Sequence, residues 1–160
     1  MNFPDKLDGC SDFSNIFDLV KEAVKTTINR RRSGLMLGLS DLPVYIGALH
    51  QIGSNFIIMN KKLLKEVLRT GDKKIINSYI FHVLLHEYIH SLGFMDEKMT
   101  EMLTHGISEK FLGSNHPATL IAKNGIGSVL SNLNISHDEP DTRDIEIIEY
   151  FESDNLNYFG

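Results

Sequence analysis

The sequence predicts a small α+β domain, and three observations carry that prediction. Helical periodicity appears near the start, three short apolar runs bounded by turn residues follow it, and helical spacing returns from about residue 61 onward. Strands grouped ahead of a block of helices describe a sheet with helices packed against it. With 160 residues the chain is the size of one domain with a core of its own.

Each element follows from local pattern. Between residues 14 and 32, Ile16, Phe17, Val20, Ala23, Val24 and Ile28 fall on one helical face, behind a cap at Ser11, Asp12 or Ser14 and ahead of the stop Ser33-Gly34. The runs LMLGL from Leu35, VYIGAL from Val44 and NFIIM from Asn55 read as three strands, separated by Ser-Asp, Pro43 and Gly53-Ser54. KKLLKEVLRT from Lys61 reads as a short helix. Asp72 suits an N-cap, and apolar residues then occupy nearly every face from Ile75 to Leu92 until Gly93 stops the helix. A helix that is apolar all round is a buried one. Two more helices are expected, from about Asp96 to Leu112 and from Pro117 to about Leu133, the last weakened by Gly125 and Gly127.

Composition narrows the function classes. Hydrophobic residues are 42% and charged ones 23%, an ordinary globular balance. No apolar run approaches a membrane span, and MNFPDKLDGC carries neither a basic leader nor an apolar signal core, so the expected location is the cytoplasm with no membrane partner. Cys10 is the single cysteine, which excludes an internal disulfide and leaves any metal to His, Asp or Glu. Residues 137 to 160 hold eight acids and one arginine, a charge of -7 within a total of -5, so residues 1 to 136 carry +2. That asymmetry divides the chain into a domain, 1–136, and an acidic-hydrophobic tail, 137–160. Apart from Arg30-Arg31-Arg32 there is no concentrated basic surface, and no nucleic-acid partner is expected.

The exceptions to the buried helix's apolar character are Ser78, His82, His86, Glu87 and His90, largely along one stripe. Chance gives about 0.02 occurrences of His-Glu-x-x-His in a chain with 7 histidines and 10 glutamates. Residues four apart share a helix face, so His86 and His90 can aim both imidazoles at one point, half of a zinc site. Glu87, rotated by roughly 100 degrees, stays out of the metal's ligands but close to a water bound there, where a general base belongs. His82, one turn further up, reads as a packing or supporting residue.

A third ligand has several candidates. Asp96 completes the spacing His-Glu-x-x-His-x-x-Gly-x-x-Asp, and the following helix offers Glu97, Glu101, His105 and Glu109. If that helix begins near Asp96 and runs back antiparallel, the metal level lies ~7 to 8 Å from the turn, which ranks Glu101 first and Asp96 as its alternative. Glu109 would be roughly 18 Å along the helix and ranks third.

At these residues the chain resembles the zincins, zinc metallopeptidases with HExxH on an active-site helix, over about residues 14 to 113. Its brevity resembles the minimal gluzincin-like peptidases of archaea and bacteria, in which a glutamate on the next helix completes the zinc site, a role the resemblance carries to Glu101. Gly93 and Asp96 also resemble the metzincin pattern, without its methionine turn. The resemblance implies a zinc-dependent peptidase acting on peptide or protein, and a strand beside the cleft that binds extended substrate at its edge, here NFIIMN from Asn55 to Asn60.

Two further functions compete with that reading. HSLG followed by Asp96 also resembles metal-dependent ribonucleases carrying H-x-x-x-H-x-x-G-x-x-H, with Arg30 to Arg32 near phosphate, although Glu87 has no task there. The other is a non-catalytic zinc-binding interaction module. The tail interleaves its acids with Ile145, Ile147, Ile148, Tyr150, Phe151, Leu156, Tyr158 and Phe159, too many large apolar groups for a merely solvated segment. It reads as an added strand, a partner-binding motif, or an inhibitory segment laid across the cleft.

Overall fold

The structure, a computed structural model, describes residues 1–130 and 144–152. Among these residues six α-helices and a small mixed four-stranded sheet form an α+β fold. No helix among them is long and apolar enough to cross a membrane.

The chain opens with a helix that periodicity did not foresee, α1 (Phe3–Asp8), six residues capped by Asn2, too short to show a repeat. Helix α2 (Phe13–Ile28) starts where Asp12 accepts the Asn15 N–H, and it buries the expected Ile16, Phe17, Val20, Ala23 and Val24. It stops four residues short of the expected end. Asn29 turns left-handed at φ 55° and closes the last turn through its N–H to the Lys25 carbonyl, which releases Arg30 to Arg32 into the following loop.

Strands β1 (Met36–Ser40), β2 (Ala48–His50) and β3 (Phe56–Asn60) come from the three apolar runs. The middle run is mostly loop. Ile46 donates to the Pro43 carbonyl, and only three residues then pair. The buried Asn60 side chain holds this loop, donating to the carbonyls of Leu42, Pro43 and Ile46 and accepting from the N–H groups of Leu42 and Lys62. Sheet order is β2-β3-β1-β4, with β1 parallel and β2 antiparallel to β3. This order corrects the expectation for NFIIMN: β3 is paired on both sides, so it has no edge to offer a substrate, and among the described residues the edge strands are β2 and β4.

The fourth strand, β4 (Glu146–Ile147), pairs antiparallel with β1 and comes from the segment assigned to the tail. A side chain at Gly38 would meet Ile145 at 2.6 Å, so glycine there lets the segment lie flat on β1. Phe151 is buried and stacks on Phe17 at 4.3 Å, while buried Glu152 receives hydrogen bonds from Lys21 Nζ at 3.3 Å and the Leu35 N–H at 3.1 Å. Residues 144–152 thus pack on the body as the added strand that was one reading of the tail. They cover the sheet edge opposite β2.

Helix α3 (Lys61–Arg69) follows β3, and the central helix α4 (Lys73–Ser91) touches α1, α2, α5, α6 and β2. That central position explains its apolar faces: Phe81, Leu84, Leu85, Tyr88 and Ile89 are fully buried. Helices α5 (Glu97–Leu112) and α6 (Pro117–Asn124) pack against it. Gly125, at φ 86°, ends α6 well before Leu133, and a short 3-10 turn at Ile126–Ser128 follows. Residues 131–133, 137–143 and 153–160, including Leu156, Tyr158 and Phe159, lie outside the described residues.

Candidate metal centre

Helix α4 begins where Asp72 accepts the Ile75 N–H, and within it the four-residue spacing brings His86 and His90 to one face. Their rings lie 4.8 Å apart between centroids, at 73° to each other. The chain then turns at Gly93, φ 104°, a left-handed backbone that suits glycine, and α5 starts immediately. Asp96 caps α5 by accepting the Met99 N–H at 2.9 Å, which places Glu97 as its first helical residue.

Glu97 faces both histidines. One carboxylate oxygen is 2.7 Å from His86 Nε2 and the other 2.9 Å from His90 Nε2. Ligand atoms of the three residues all lie within 4.8 Å of one another. His90 Nδ1 is 2.7 Å from the Phe94 carbonyl, to which it donates, so in the neutral ring Nε2 presents a lone pair. A lone pair and a carboxylate oxygen at 2.9 Å need a proton or a cation between them. Burial pushes the His86 imidazole below its ordinary pKa, an effect opposed first by the Glu97 charge. Two imidazole nitrogens and a carboxylate converging this closely form a group that could hold a metal ion.

This geometry differs from the ranking drawn from the sequence. Glu97, not Glu101 or Asp96, lies against the histidines, because α5 meets the level of the two imidazoles at its first residue rather than a turn along it. Asp96 is engaged as the helix cap. Glu101 lines a second cavity of about 270 Å³, shared with His82, His86 and Thr104. Glu109 pairs with His105 at 3.5 Å. The capping signal was present in the sequence: an aspartate three residues ahead of Met99 marks an N-cap and puts position 97 at the helix start.

Glu87 is buried and lines a larger cleft of about 550 Å³ between β2 and α4. Burial raises its carboxyl to about 7; His90 opposes that rise, Glu97 adds to it, and a hydrogen bond from the His50 backbone N–H lowers it. His50, on β2, was not singled out from the sequence. Its Nε2 donates to the Ser54 carbonyl at 2.8 Å, and the same carbonyl receives Arg32 Nη2 at 2.9 Å. Arg32 Nη1 donates to the Ser91 carbonyl at 2.7 Å, so one guanidinium joins the β2–β3 turn to the end of α4.

His82 lies one turn above His86, with 6.3 Å between ring centroids, and lines both cavities. Its Nδ1 is buried without a hydrogen-bond partner, and burial, reinforced by His86, lowers its pKa to about 4.

The chain matches no protein-family model, no curated protein and no solved structure.

Proposed function

We propose that this chain is a zinc-dependent metallopeptidase that hydrolyses peptide bonds, with His86, His90 and Glu97 holding the metal and Glu87 as general base. The observation that carries the reading is the convergence of two imidazole Nε2 atoms on both oxygens of one carboxylate, with a second, buried carboxyl beside them. Zinc held there supplies Lewis acidity toward a carbonyl and lowers the pKa of water.

The chain's own groups supply the rest. Glu87, raised to about 7, can accept a proton from the attacking water near neutral pH and return it to the leaving amine. Strand β2 aligns the substrate. Asn60 donates to the Gly47 carbonyl, so in this antiparallel ladder Gly47 and Leu49 point their backbone groups at β3, and Ala48 and His50 point theirs at the cleft. The His50 N–H is used by Glu87, and Ala48 leaves an N–H and a C=O for an extended substrate backbone.

The ribonuclease reading draws less support. Arg32 is engaged by two carbonyls and the Arg30 guanidinium sits 5.1 Å from the Phe94 ring centroid, so neither points to a phosphate site. The test compares hydrolysis of an unfolded protein such as casein, and of RNA, by zinc-loaded natural chain and Glu87→Gln. The variant is expected to retain zinc and lose proteolysis; loss of zinc with activity would mean that Glu87 is a ligand, and RNA cleavage unaffected by the substitution would overturn the peptidase reading.

A further inference from the structure

We infer that the cleft takes extended, apolar stretches of polypeptide, with large uncharged side chains on both flanks of the reacting bond. The inference rests on the peptidase reading for its reaction, but its evidence is separate from the metal ligands. Three of the most exposed large apolar side chains among the described residues line this cleft: Tyr45 at 83%, Ile52 at 76% and Met95 at 62%. Single exposed apolar residues are ordinary, but three around one concave polar site mark a surface that is covered when the site is used.

Their placement says what covers them. Tyr45 precedes β2 and Ile52 follows it, so the two stand at opposite ends of the open strand edge, and Met95 sits in the α4–α5 turn. A backbone paired with Ala48 must be extended, and an extended chain long enough to pass both ends of β2 reaches Tyr45 on one flank and Ile52 on the other. Charge narrows the class further. Among the described residues that line the cleft there are Glu87 and Glu97 and no lysine or arginine, so acidic side chains meet like charge there. Folded proteins rarely offer an extended apolar stretch with a free backbone, so the matching partner is an unfolded or locally opened polypeptide.

The test reads binding without turnover, using the full zinc-loaded chain carrying Glu87→Gln and fluorescence anisotropy. The probes are two labelled ten-residue peptides, one with Leu and Phe flanking a central Ala-Ala, the other with Asp and Glu at those positions. The apolar peptide is expected to bind at least about tenfold more tightly, and Tyr45→Ser and Ile52→Ser each to weaken it roughly three- to tenfold. Leu68→Ser, which removes an exposed leucine from α3, serves as the control and should leave the affinity unchanged. Tyr45 and Ile52 are exposed, and unchanged circular dichroism verifies that their variants remain folded. Equal affinity for the two peptides, binding of neither, or silent substitutions at both rim positions would overturn the inference. Rim-dependent binding of a peptide that the natural chain leaves uncut would instead sink the peptidase reading and leave this inference standing.

Discussion

His82 gives the fold a calculable dependence on pH. In the folded chain its pKa is lowered to about 4, because burial disfavours the charged ring and the His86 imidazole adds to the effect. In the unfolded chain the ring titrates near its ordinary value of about 6.5. As pH falls, the unfolded state binds the proton first. The contribution is therefore fully present above pH ~6.5, is lost progressively down to about 4, and then levels off. Between pH 7.5 and pH 5, the two pKa values correspond to about 2 kcal/mol of lost stability. One edge of the ring reaches the two cavities, and solvent there makes this an upper figure.

Replacing His82 with phenylalanine isolates the effect. The substitution removes the titrating group and the unpartnered Nδ1, and the adjoining cavities give the larger ring room. Urea unfolding of both metal-free proteins at pH 7.5 and pH 5 gives four free energies, and in their difference the titration of the other groups largely cancels. The natural chain should lose ~1 to 2 kcal/mol more than His82→Phe on acidification. Parallel losses in the two proteins would refute the assignment of a depressed pKa to a buried, neutral His82.

Four other substitutions probe the site and its supports. Glu97→Gln should weaken zinc binding by roughly 100-fold or more, whereas Glu101→Gln should change it only a few-fold, as read by competition with a chromogenic chelator; the reverse order would restore the ligand ranking drawn from the sequence. Glu152→Ala should cost ~2 to 3 kcal/mol in urea unfolding, because it removes the hydrogen bonds from Lys21 and the Leu35 N–H, while Asp18, 3.8 Å from Lys21, limits the loss; an unchanged midpoint would show that the contacts of Glu152 contribute no stability. Asn60→Ala should destabilise the fold by ~2 to 3 kcal/mol and weaken peptide binding at β2, since three carbonyls of residues 42–46 lose their donor; stability loss with unaltered peptide affinity would separate that loop from the cleft.

What was legible in the sequence was what depends on short spacings. Helix α4 announced itself by an apolar surface on every side, and the stripe of His86, Glu87 and His90 stood out because burial without partners would be costly there. Sheet order was not legible, since a parallel β1–β3 pair is decided by packing across residues twenty apart, and local pattern cannot say which strand remains open. The added strand among the readings of the tail is present as β4, but its partners were not legible for a related reason. The tail's summed charge of -7 hides that Glu152 is a buried partner of Lys21 and that Phe151 completes an aromatic stack, contacts spanning more than 130 residues.

The third ligand shows how a small local choice propagates. The helix start expected near Asp96 is within one residue of the observed one, and it was the assumed depth of five residues that favoured Glu101; the first side chain of α5, Glu97, already stands beside His86 and His90. Gly93 makes this possible: at φ 104° it folds the chain back within the few residues that separate the two helices. A longer or less sharply turned connection would move α5 along α4 and bring a different carboxylate level with the imidazoles. Which carboxylate meets the two imidazoles is therefore set by the turn and the helix start more than by the spacing of acids along the helix.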